Sequence, residues 1–325
     1  MSKRIPNAFD QFIKVNFKTD KEIAELSREL KIDIAIDLMC FTTNSRTGIF
    51  SEKCAPIQIN YLGYPGTSGA SFIDYIIADK TLIPKENQKY YSEKIIYLPN
   101  TYQVRDSTQK ISNKIFTKDE LNLPKNSFVF CCFNQNYKIT PSVFDIWMRL
   151  LKKVEKSVLW LIKDNDVAAY NLKKEAEKRG VASDRIIFAK HMPISEHLAR
   201  HKVADLFVDT FPYTAHTTCS DALWSGLPVI TRMGQSFASR VAGSLLNAIN
   251  LKELITKTEK EYENLILKLS KNPKKLKEIK NKLKKNRLKE PLFDSKLYTK
   301  KIEHAYKKIY ERYKSNLPFK NIEIK

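Results

Sequence analysis

Residue types that bind anions are concentrated in Ala215–Trp224, which reads Ala-His-Thr-Thr-Cys-Ser-Asp-Ala-Leu-Trp. The segment has the pattern of a helix start, where free backbone N–H groups attract anions. Three side-chain donors stand there: His216, Thr217 and Thr218. One turn into the helix, Asp221 points back toward the loop, where a carboxylate would hold a ribose hydroxyl. The alternative is that Thr218 or Ser220 serves only as the N-cap of the helix.

A second candidate loop, Phe133–Ile139, follows the apolar run that begins at Phe128. Gln135 and Lys138 lie where a phosphate would approach. A lysine is a point charge suited to a diphosphate leaving group. Taken alone, Lys138 is better interpreted as one more surface lysine. Because both loops are predicted at one edge of the same sheet, their combination favours anion binding.

Two further segments carry candidate residues. In Met192–Arg200, His197 and Arg200 share a helix face at a spacing of three residues, although a solvated face is the alternative. Leu62–Gly69 holds three of the eight glycines of the chain. That density predicts unusual dihedral angles or close backbone approach, in a structural turn or a substrate loop. The loop matches neither a Walker motif nor G-x-G-x-x-G.

The acidic and histidine residues do not predict a metal site. The five histidines form no H-E-x-x-H pattern, and the five cysteines form no C-x-x-C pair. Asp164 and Asp166 are formally a carboxylate pair, but we interpret them as the acidic start of a helix. Neither a bound metal nor another cofactor is therefore expected.

Apolar runs alternate with amphipathic helical patterns and predict the elements that position these residues. Four strands are expected in a first lobe: Ile32–Leu38, Ile57–Leu62, Tyr75–Ala78 and Ile95–Leu98. Five are expected in a second: Phe128–Phe133, Val158–Ile162, Arg185–Phe188, Leu206–Asp209 and Pro228–Thr231. The alternation indicates an α/β fold with two Rossmann-like lobes, each a doubly wound parallel sheet. We divide the chain into 1–115 and 116–325, with a polar linker near Ser107–Lys125 and a purely helical tail packing across both lobes.

Composition limits the classes of partner. The formal net charge of the 325 residues is +21, but the lysines alternate with glutamate on helices in the tail, which is typical of a solvated face. Nucleic acid is therefore an unlikely partner. The odd number of cysteines indicates a reducing compartment, and no long apolar run suggests a signal peptide or a membrane span. The chain is expected to be cytoplasmic.

Several segments together resemble the catalytic region of the O-GlcNAc transferase family, including its SPINDLY-like and bacterial members. The segments that carry the resemblance, in chain order, are Ala55–Gln58, Leu62–Gly69, Phe133–Ile139, Ser157–Leu161, Asp205, Ala215–Trp224, Ala238–Ala242 and Pro291–Asp294. The resemblance implies a GT-B glycosyltransferase of two Rossmann-like lobes. It also implies metal-independent transfer of a sugar, usually N-acetylglucosamine, from a UDP-sugar to protein Ser or Thr hydroxyls with inversion.

The same resemblance assigns roles residue by residue. It implies diphosphate contacts for five residues: Gln135, Lys138, His216, Thr217 and Thr218. Lys138 would also act catalytically by stabilising the leaving UDP. Asp221 would bind the ribose and the Met192 backbone the uracil, with His197 and Arg200 around the nucleotide. Leu62 and Gly63 would border the sugar.

The sequence departs from the family pattern in two respects. Ile194 stands where a lysine is expected, which predicts weaker nucleotide affinity. No histidine precedes His191, and the family's tetratricopeptide repeats and the front of its N-terminal catalytic lobe are not found. We therefore expect a truncated first lobe. The alternative to an active enzyme is a non-catalytic UDP-sugar-binding fragment, or one that needs a partner chain to supply the missing part.

Overall fold

The computed structural model describes residues 5–325, which form two compact units. The first unit comprises 5–77, 86–97 and 303–324, and the second comprises 78–85, 98–302 and Lys325. Residues 98–115 thus lie with the second unit, and the division at 115–116 remains a prediction. Among the described residues, no helix combines the length and the apolar character that crossing a bilayer requires.

A five-stranded sheet in the order β1-β2-β3-β4-β11 forms the first unit. Its strands are β1 (Ile34–Asp37), β2 (Ile57–Asn60), β3 (Tyr75–Ala78), β4 (Lys94–Tyr97) and β11 (Ile322–Glu323). Strand β11 pairs with β4 in parallel, Ile322 opposite Ile96. The expectation of a purely helical tail is therefore wrong, because the last residues of the chain return to complete this sheet.

Two short helices precede and follow β1 in the same unit: α1 (Asp20–Glu29) and α2 (Gly48–Ser51). Helix α1 begins with a capping box, in which the Thr19 hydroxyl accepts from the Glu22 N–H and the Glu22 carboxylate accepts from the Thr19 N–H. Asp20 adds a negative charge to the first turn, where the helix dipole favours it. Local sequence therefore fixes the start of α1.

The second unit contains a six-stranded sheet in the order β10-β9-β8-β5-β6-β7, parallel at every pairing. Its strands are β5 (Phe128–Cys132), β6 (Ser157–Ile162), β7 (Ile186–Ala189), β8 (Leu206–Val208), β9 (Val229–Arg232) and β10 (Ile255–Thr256). This is the predicted doubly wound sheet with one strand more than expected. The extra strand, β10, has only two residues, which is too short for a periodic pattern that would predict it.

The helices that follow β5 are α3 (Pro141–Lys153), α4 (Asp166–Lys178), α5 (Ile194–Arg200), α6 (Thr217–Trp224), α7 (Val241–Ala248), α8 (Glu259–Ser270), α9 (Pro273–Asn286) and α10 (Ser295–Lys314). Helices α3 to α7 connect the strands of this sheet as in a Rossmann-like fold, and α8 to α10 follow the last of them. Side chains cap the N-termini of α3, α4, α8 and α9: Thr140, Asn165, Thr258 and Asn272. Helices α5, α6 and α7 lack such a cap, and of these the start of α6 lies at the candidate site.

The core of the second unit lies around β5 and β6. Every residue of β6 is buried, as expected for a parallel strand covered on both faces. Tyr262 of α8 is fully buried; its hydroxyl accepts from Trp147 Nε1 (3.2 Å) and donates to the Asp209 carbonyl (2.7 Å). Two helices are thereby tied to the end of β8, where the candidate site begins.

Candidate functional site

The order in which strands are added to the second sheet changes direction between β5 and β8, although the two strands are parallel. From β5 the sheet grows through β6 and β7 on one side, and β8, β9 and β10 lie on the other. The loops that leave β5 and β8 therefore separate at this point and open a crevice at the carboxyl ends of the strands. Open α/β sheets bind their ligands in such a crevice. The two candidate loops named from the sequence are these two loops.

Asn134, which directly follows Phe133 after β5, joins the two loops. Its side chain is 2% exposed, and Nδ2 donates to Asp209 Oδ1 (3.1 Å) and Thr210 Oγ1 (2.7 Å). Its Oδ1 accepts from the Thr218 hydroxyl. Asn134 thus connects the β5 loop, the end of β8 and the start of α6. No role was predicted for it, since its partners lie far away in the sequence.

Asp209 is the buried acidic centre of this network. Oδ1 accepts from the backbone N–H of Thr210 (2.8 Å) and Ala215 (2.7 Å), and Oδ2 accepts from the Thr231 hydroxyl (2.7 Å). Burial raises the pKa of Asp209 to about 6, while these hydrogen bonds and the Lys138 charge oppose the rise. The carboxylate shapes the loop backbone and offers Lys138 a negative charge. Sequence reasoning missed it because it ends an otherwise apolar strand.

Lys138 lies at the end of the short 3-10 turn Asn136–Lys138. Its ammonium donates to the Thr214 carbonyl (3.2 Å) and lies 3.8 Å from the centre of the Tyr213 ring. Burial lowers the pKa of Lys138, and the negative charge of Asp209 opposes that effect. The interpretation of Lys138 as an ordinary surface lysine is therefore wrong. Gln135, which precedes the turn, is exposed.

Helix α6 begins at Thr217, and His216 occupies the N-cap position without a capping hydrogen bond from its side chain. The alternative in which Thr218 or Ser220 serves as the N-cap is thus wrong. The Thr218 hydroxyl turns instead to Asn134. The first N–H groups of a helix lack partners within the helix. Here no side chain caps them, so this helix start is suited to an anion.

His216 uses one ring nitrogen within the protein. Nε2 lies 3.2 Å from the Ala238 carbonyl oxygen, and a carbonyl oxygen only accepts, so Nε2 carries the proton. Burial lowers the pKa of His216 to about 3, with Lys138 adding to the effect. The neutral ring then presents Nδ1 as an acceptor. The Nε2 donor of His216 is thus engaged within the protein, and the diphosphate contact expected of its side chain remains a prediction.

Asp221 lies one turn into α6 and is 6% exposed. It pairs with Arg105, whose side chain is 10% exposed. Burial raises the pKa of Asp221, and the charge of Arg105 opposes the rise. Arg105 was not predicted as a site residue. It lies 116 residues from Asp221 in the sequence, within a polar segment that has no motif of its own.

Helix α5 carries the remaining candidates of the second unit. Met192 lies in the loop before it, and Ile194, its first residue, is 51% exposed. Arg200 is fully buried and donates to the Lys190 carbonyl (2.6 Å) and to His197 Nδ1 (2.5 Å). The two residues share a face as predicted, but the alternative of a solvated face is wrong.

The glycine-rich loop lies in the first unit and shows both features expected of it. A Cβ at Gly63 would lie 2.0 Å from the Leu38 carbonyl oxygen, so only glycine fits. Leu62 has a φ of 72°, which is unfavourable for a residue with a side chain. The buried Glu93 accepts from the Thr67 hydroxyl (2.6 Å) and so anchors the loop. The role of Leu62 and Gly63 at a sugar remains a prediction.

Of the acidic pair near α4, only Asp166 belongs to the first turn of the helix, as interpreted from the sequence, whereas Asp164 precedes the N-cap. Asp166 opens α4 and pairs with Lys163 at 2.5 Å, and Asn165 caps it. Asp164 accepts from the Asn136 N–H at 2.8 Å. Over residues 5–325, the structure contains no cluster of three or more His, Cys, Asp or Glu side chains placed to hold a metal ion.

The sequence matches a known family and known proteins over most of its length. The profile of glycosyl transferase family 41 matches residues 1–116 and 109–302. A probable UDP-N-acetylglucosamine–peptide N-acetylglucosaminyltransferase (SEC) of Arabidopsis thaliana is 37% identical over 95% of this chain and 32% of its own length. A UDP-N-acetylglucosamine–peptide N-acetylglucosaminyltransferase of Caenorhabditis elegans is 26% identical over 98% of this chain and 37% of its own. The chain thus spans about a third of these relatives.

Solved structures show the same architecture. A variant of the Thermobaculum terrenum O-GlcNAc transferase superposes with a TM-score of 0.88 at 29% identity, over 95% of this chain and 59% of that one. The sucrose-phosphate synthase of Thermosynechococcus elongatus matches with a TM-score of 0.61 at 11% identity, over 93% of this chain and 81% of that one. The second likeness concerns the fold alone. The predicted fold of two parallel-sheet α/β lobes of GT-B type is confirmed.

Proposed function

The chain belongs to glycosyl transferase family 41, and on that premise we propose that it is an inverting, metal-independent transferase of a sugar from UDP to protein Ser or Thr hydroxyls. We propose N-acetylglucosamine as the sugar, in line with the names of the relatives from Arabidopsis thaliana and Caenorhabditis elegans. The observation that carries the proposal is the position of the half-buried Lys138 beside the uncapped start of α6, at the switch point of the second sheet.

In this proposal the diphosphate lies between the β5 loop and the start of α6. Its contacts would be Gln135, Lys138 and Thr217, with the backbone N–H groups of His216 and Thr218, because the Thr218 hydroxyl donates to Asn134. When the acceptor hydroxyl oxygen bonds to the anomeric carbon, the bond from that carbon to the β-phosphate oxygen breaks and UDP leaves with the electron pair. The hydroxyl proton passes to water. The ammonium of Lys138 and the helix N-terminus would stabilise the charge on that oxygen, as preorganised cations and dipoles do in other enzymes. The protein thereby supplies charge that a metal ion supplies elsewhere.

The nucleoside would extend from the diphosphate along α6 and α5. Asp221 would accept from a ribose hydroxyl, the Met192 backbone would meet the uracil, and His197 would lie beside the nucleotide. Arg200 would act from behind His197, since it is fully buried. We also assign the chain to the cytoplasm, because all five of its cysteines are unpaired and buried, which suits a reducing compartment.

Calorimetric titration with UDP and UDP-N-acetylglucosamine, combined with an assay of UDP released in the presence of acceptor proteins, tests the proposal. The parent chain should bind UDP and release it from the donor at the same rate with and without a chelator. Lys138→Met should lower turnover by about 10²-fold, the loss typical of removing one group that stabilises developing charge. Lys152→Met, on the exposed side of α3, is the matched control and should behave as the parent does.

Three results would contradict parts of the proposal. Absence of UDP binding by the parent chain would refute it entirely. UDP binding without sugar transfer to any acceptor would show that the chain is a non-catalytic UDP-sugar-binding protein, which is the alternative function. Equal effects of Lys138→Met and Lys152→Met on turnover would show that Lys138 does not act in the site.

A further inference from the structure

Arg105 and Asp221 form an ion pair whose side chains are 10% and 9% exposed. Arg105 Nη1 donates to Asp221 Oδ1 and lies 3.5 Å from the Ser220 hydroxyl oxygen. Arg105 Nε is buried and has no hydrogen-bond partner among the described residues. A guanidinium removed from water in this way is costly unless its charge is used. Its contact with Asp221 is therefore the interaction that accounts for its burial.

The segment that carries Arg105, residues 102–112, is fixed to the second unit on both sides of this residue. Its hydrogen bonds are Tyr102 N to Asp79 Oδ2 (3.1 Å), Tyr298 Oη to the Tyr102 carbonyl (2.9 Å), Ser107 Oγ with Ser295 Oγ (2.8 Å), Trp224 Nε1 to the Gln109 carbonyl (3.1 Å) and Ser112 N to the Ser195 carbonyl (2.9 Å). The position of the guanidinium is thus set by the protein alone. Such preorganisation reduces the ordering that a ligand must impose.

The electrostatic surroundings leave Arg105 as the group that controls Asp221. Burial raises the pKa of Asp221, and Arg105 opposes this. Two other titratable groups interact with the pair: His201 with Arg105, and Cys219 with Asp221. Burial lowers the pKa of His201 to about 4 and raises the pKa of Cys219, so both are neutral near pH 7. Without Arg105, the carboxylate would be buried with no opposite charge and would take up a proton more readily.

We infer that Arg105 is a positioning residue for donor binding, which keeps Asp221 ionised and occupies its Oδ1 so that Oδ2 accepts from a ribose hydroxyl. This inference rests on the proposed function, in which Asp221 meets the ribose. Arg105 itself touches Asp221 and acts through it. A positive charge near Asp221 is not sufficient for this role, because the guanidinium must also hold the carboxylate in one orientation.

The test compares UDP binding by calorimetry between pH 6 and 8.5 for the parent, Arg105→Gln, Arg105→Lys, Asp221→Asn and Arg105→Gln combined with Asp221→Asn. Arg105→Gln should raise the Kd for UDP about tenfold at pH 7, equivalent to one step of 1.4 kcal/mol. Relative to the parent, its binding should tighten as the pH rises, because an unpaired Asp221 must first lose its proton. Arg105→Lys should restore the pH profile of the parent but only part of the affinity. In the Asp221→Asn background, Arg105→Gln should change the Kd less than about twofold.

Arg149→Gln removes a guanidinium that pairs with Glu263 at the surface and is the matched control, with an affinity and pH profile expected to equal those of the parent. Thermal denaturation verifies that each variant is folded. If Arg105→Gln does not fold, Arg105→Lys is compared with the parent instead. The inference, but not the proposed function, would be overturned if Arg105→Gln bound UDP as the parent does, or if Arg105→Lys matched the parent in both affinity and pH profile. It would also be overturned if Arg105→Gln raised the Kd for UDP as much in the Asp221→Asn background as in the parent. Absence of UDP binding by the parent would overturn the proposed function and this inference together.

Discussion

Arg200 Nη2 donates to His197 Nδ1 over 2.5 Å, from a position with no exposure to solvent. A guanidinium can only donate, so Nδ1 of His197 must be unprotonated, and the neutral ring carries its proton on Nε2. The chain therefore presents His197 beside the candidate nucleotide site as a hydrogen-bond donor. Burial lowers the pKa of His197 to about 2, with the neighbouring His201 and Arg200 adding to the effect.

This tautomer can be observed directly. We expect long-range ¹H–¹⁵N NMR spectra to show His197 as the neutral Nε2–H form throughout pH 5 to 9. Arg200→Met removes the donor and a nearby positive charge, so the ring should populate both tautomers and titrate at a higher pH. An Nδ1–H signal for His197 in the parent chain would contradict the hydrogen bond described here.

Tyr213→Leu should weaken nucleotide binding without altering the charge of the site. The Tyr213 ring faces the Lys138 ammonium at 3.8 Å, and a partly desolvated cation–π contact is worth about 1 kcal/mol. A loosened Lys138 should therefore raise the Kd for UDP about fivefold, measured by calorimetry. Tyr170→Leu on α4 is the control, since that ring is 57% exposed and makes its own cation–π contact with Lys174 outside the candidate site. Equal effects of the two substitutions would argue against the Tyr213 contact.

Gly63→Ala should destabilise the first unit by about 3 kcal/mol, at the upper end of overpacking costs. The new methyl group would lie 2.0 Å from the Leu38 carbonyl oxygen, and that backbone cannot move without disturbing the end of β1. Gly66→Ala is the comparison: its methyl group would lie 3.2 Å from the Tyr64 ring, which can rotate away. Denaturant unfolding measures both, and a smaller loss for Gly63→Ala than for Gly66→Ala would contradict the assignment.

His201→Asn should reduce the acid sensitivity of the second unit. His201 is fully buried, and burial lowers its pKa to about 4 from the ordinary 6.5. Below about pH 6.5 the unfolded chain gains a proton at His201 that the folded chain resists until about pH 4. The stabilising contribution is thus complete above pH 6.5 and is lost as the pH falls through that window.

The asparagine amide can still donate to the His197 carbonyl, which accepts from His201 Nδ1 at 2.7 Å. The parent should lose about 2 kcal/mol more unfolding free energy than the variant between pH 6.5 and pH 5. Asp209, whose pKa is raised to about 6, changes stability in the opposite direction but is common to both proteins. The exposed His304→Asn is the control, and an equal pH dependence of all three proteins would contradict the prediction.

Most of the second sheet could be predicted because its strands are buried on both faces and therefore appear as continuous apolar runs. Phe128–Phe133 was expected and Phe128–Cys132 was found. The two-residue strands β10 and β11 could not be predicted, because pairing with an existing edge, and not local periodicity, defines them.

The candidate site could be predicted where functional side chains lie in a loop directly after a strand, as Lys138 and Thr217 do. It was not predictable where function depends on pairs of residues distant in sequence. Asn134 with Thr218 and Arg105 with Asp221 are separated by 84 and 116 residues. The engagement of His216 with Ala238 likewise follows only from the folded loops. Local sequence thus locates the loops, while tertiary contacts decide which atoms remain free.

Strand β11 has a consequence for synthesis on the ribosome. The first unit is assembled from three stretches, and the last of these, 303–324, is translated only after the whole of 98–302. Chains emerge from the N-terminus at about 5–20 residues per second, so at least ~10 s separate the exit of β4 from that of its partner β11. The second unit is therefore the part of the chain able to fold first, although it is encoded later than β1 to β4.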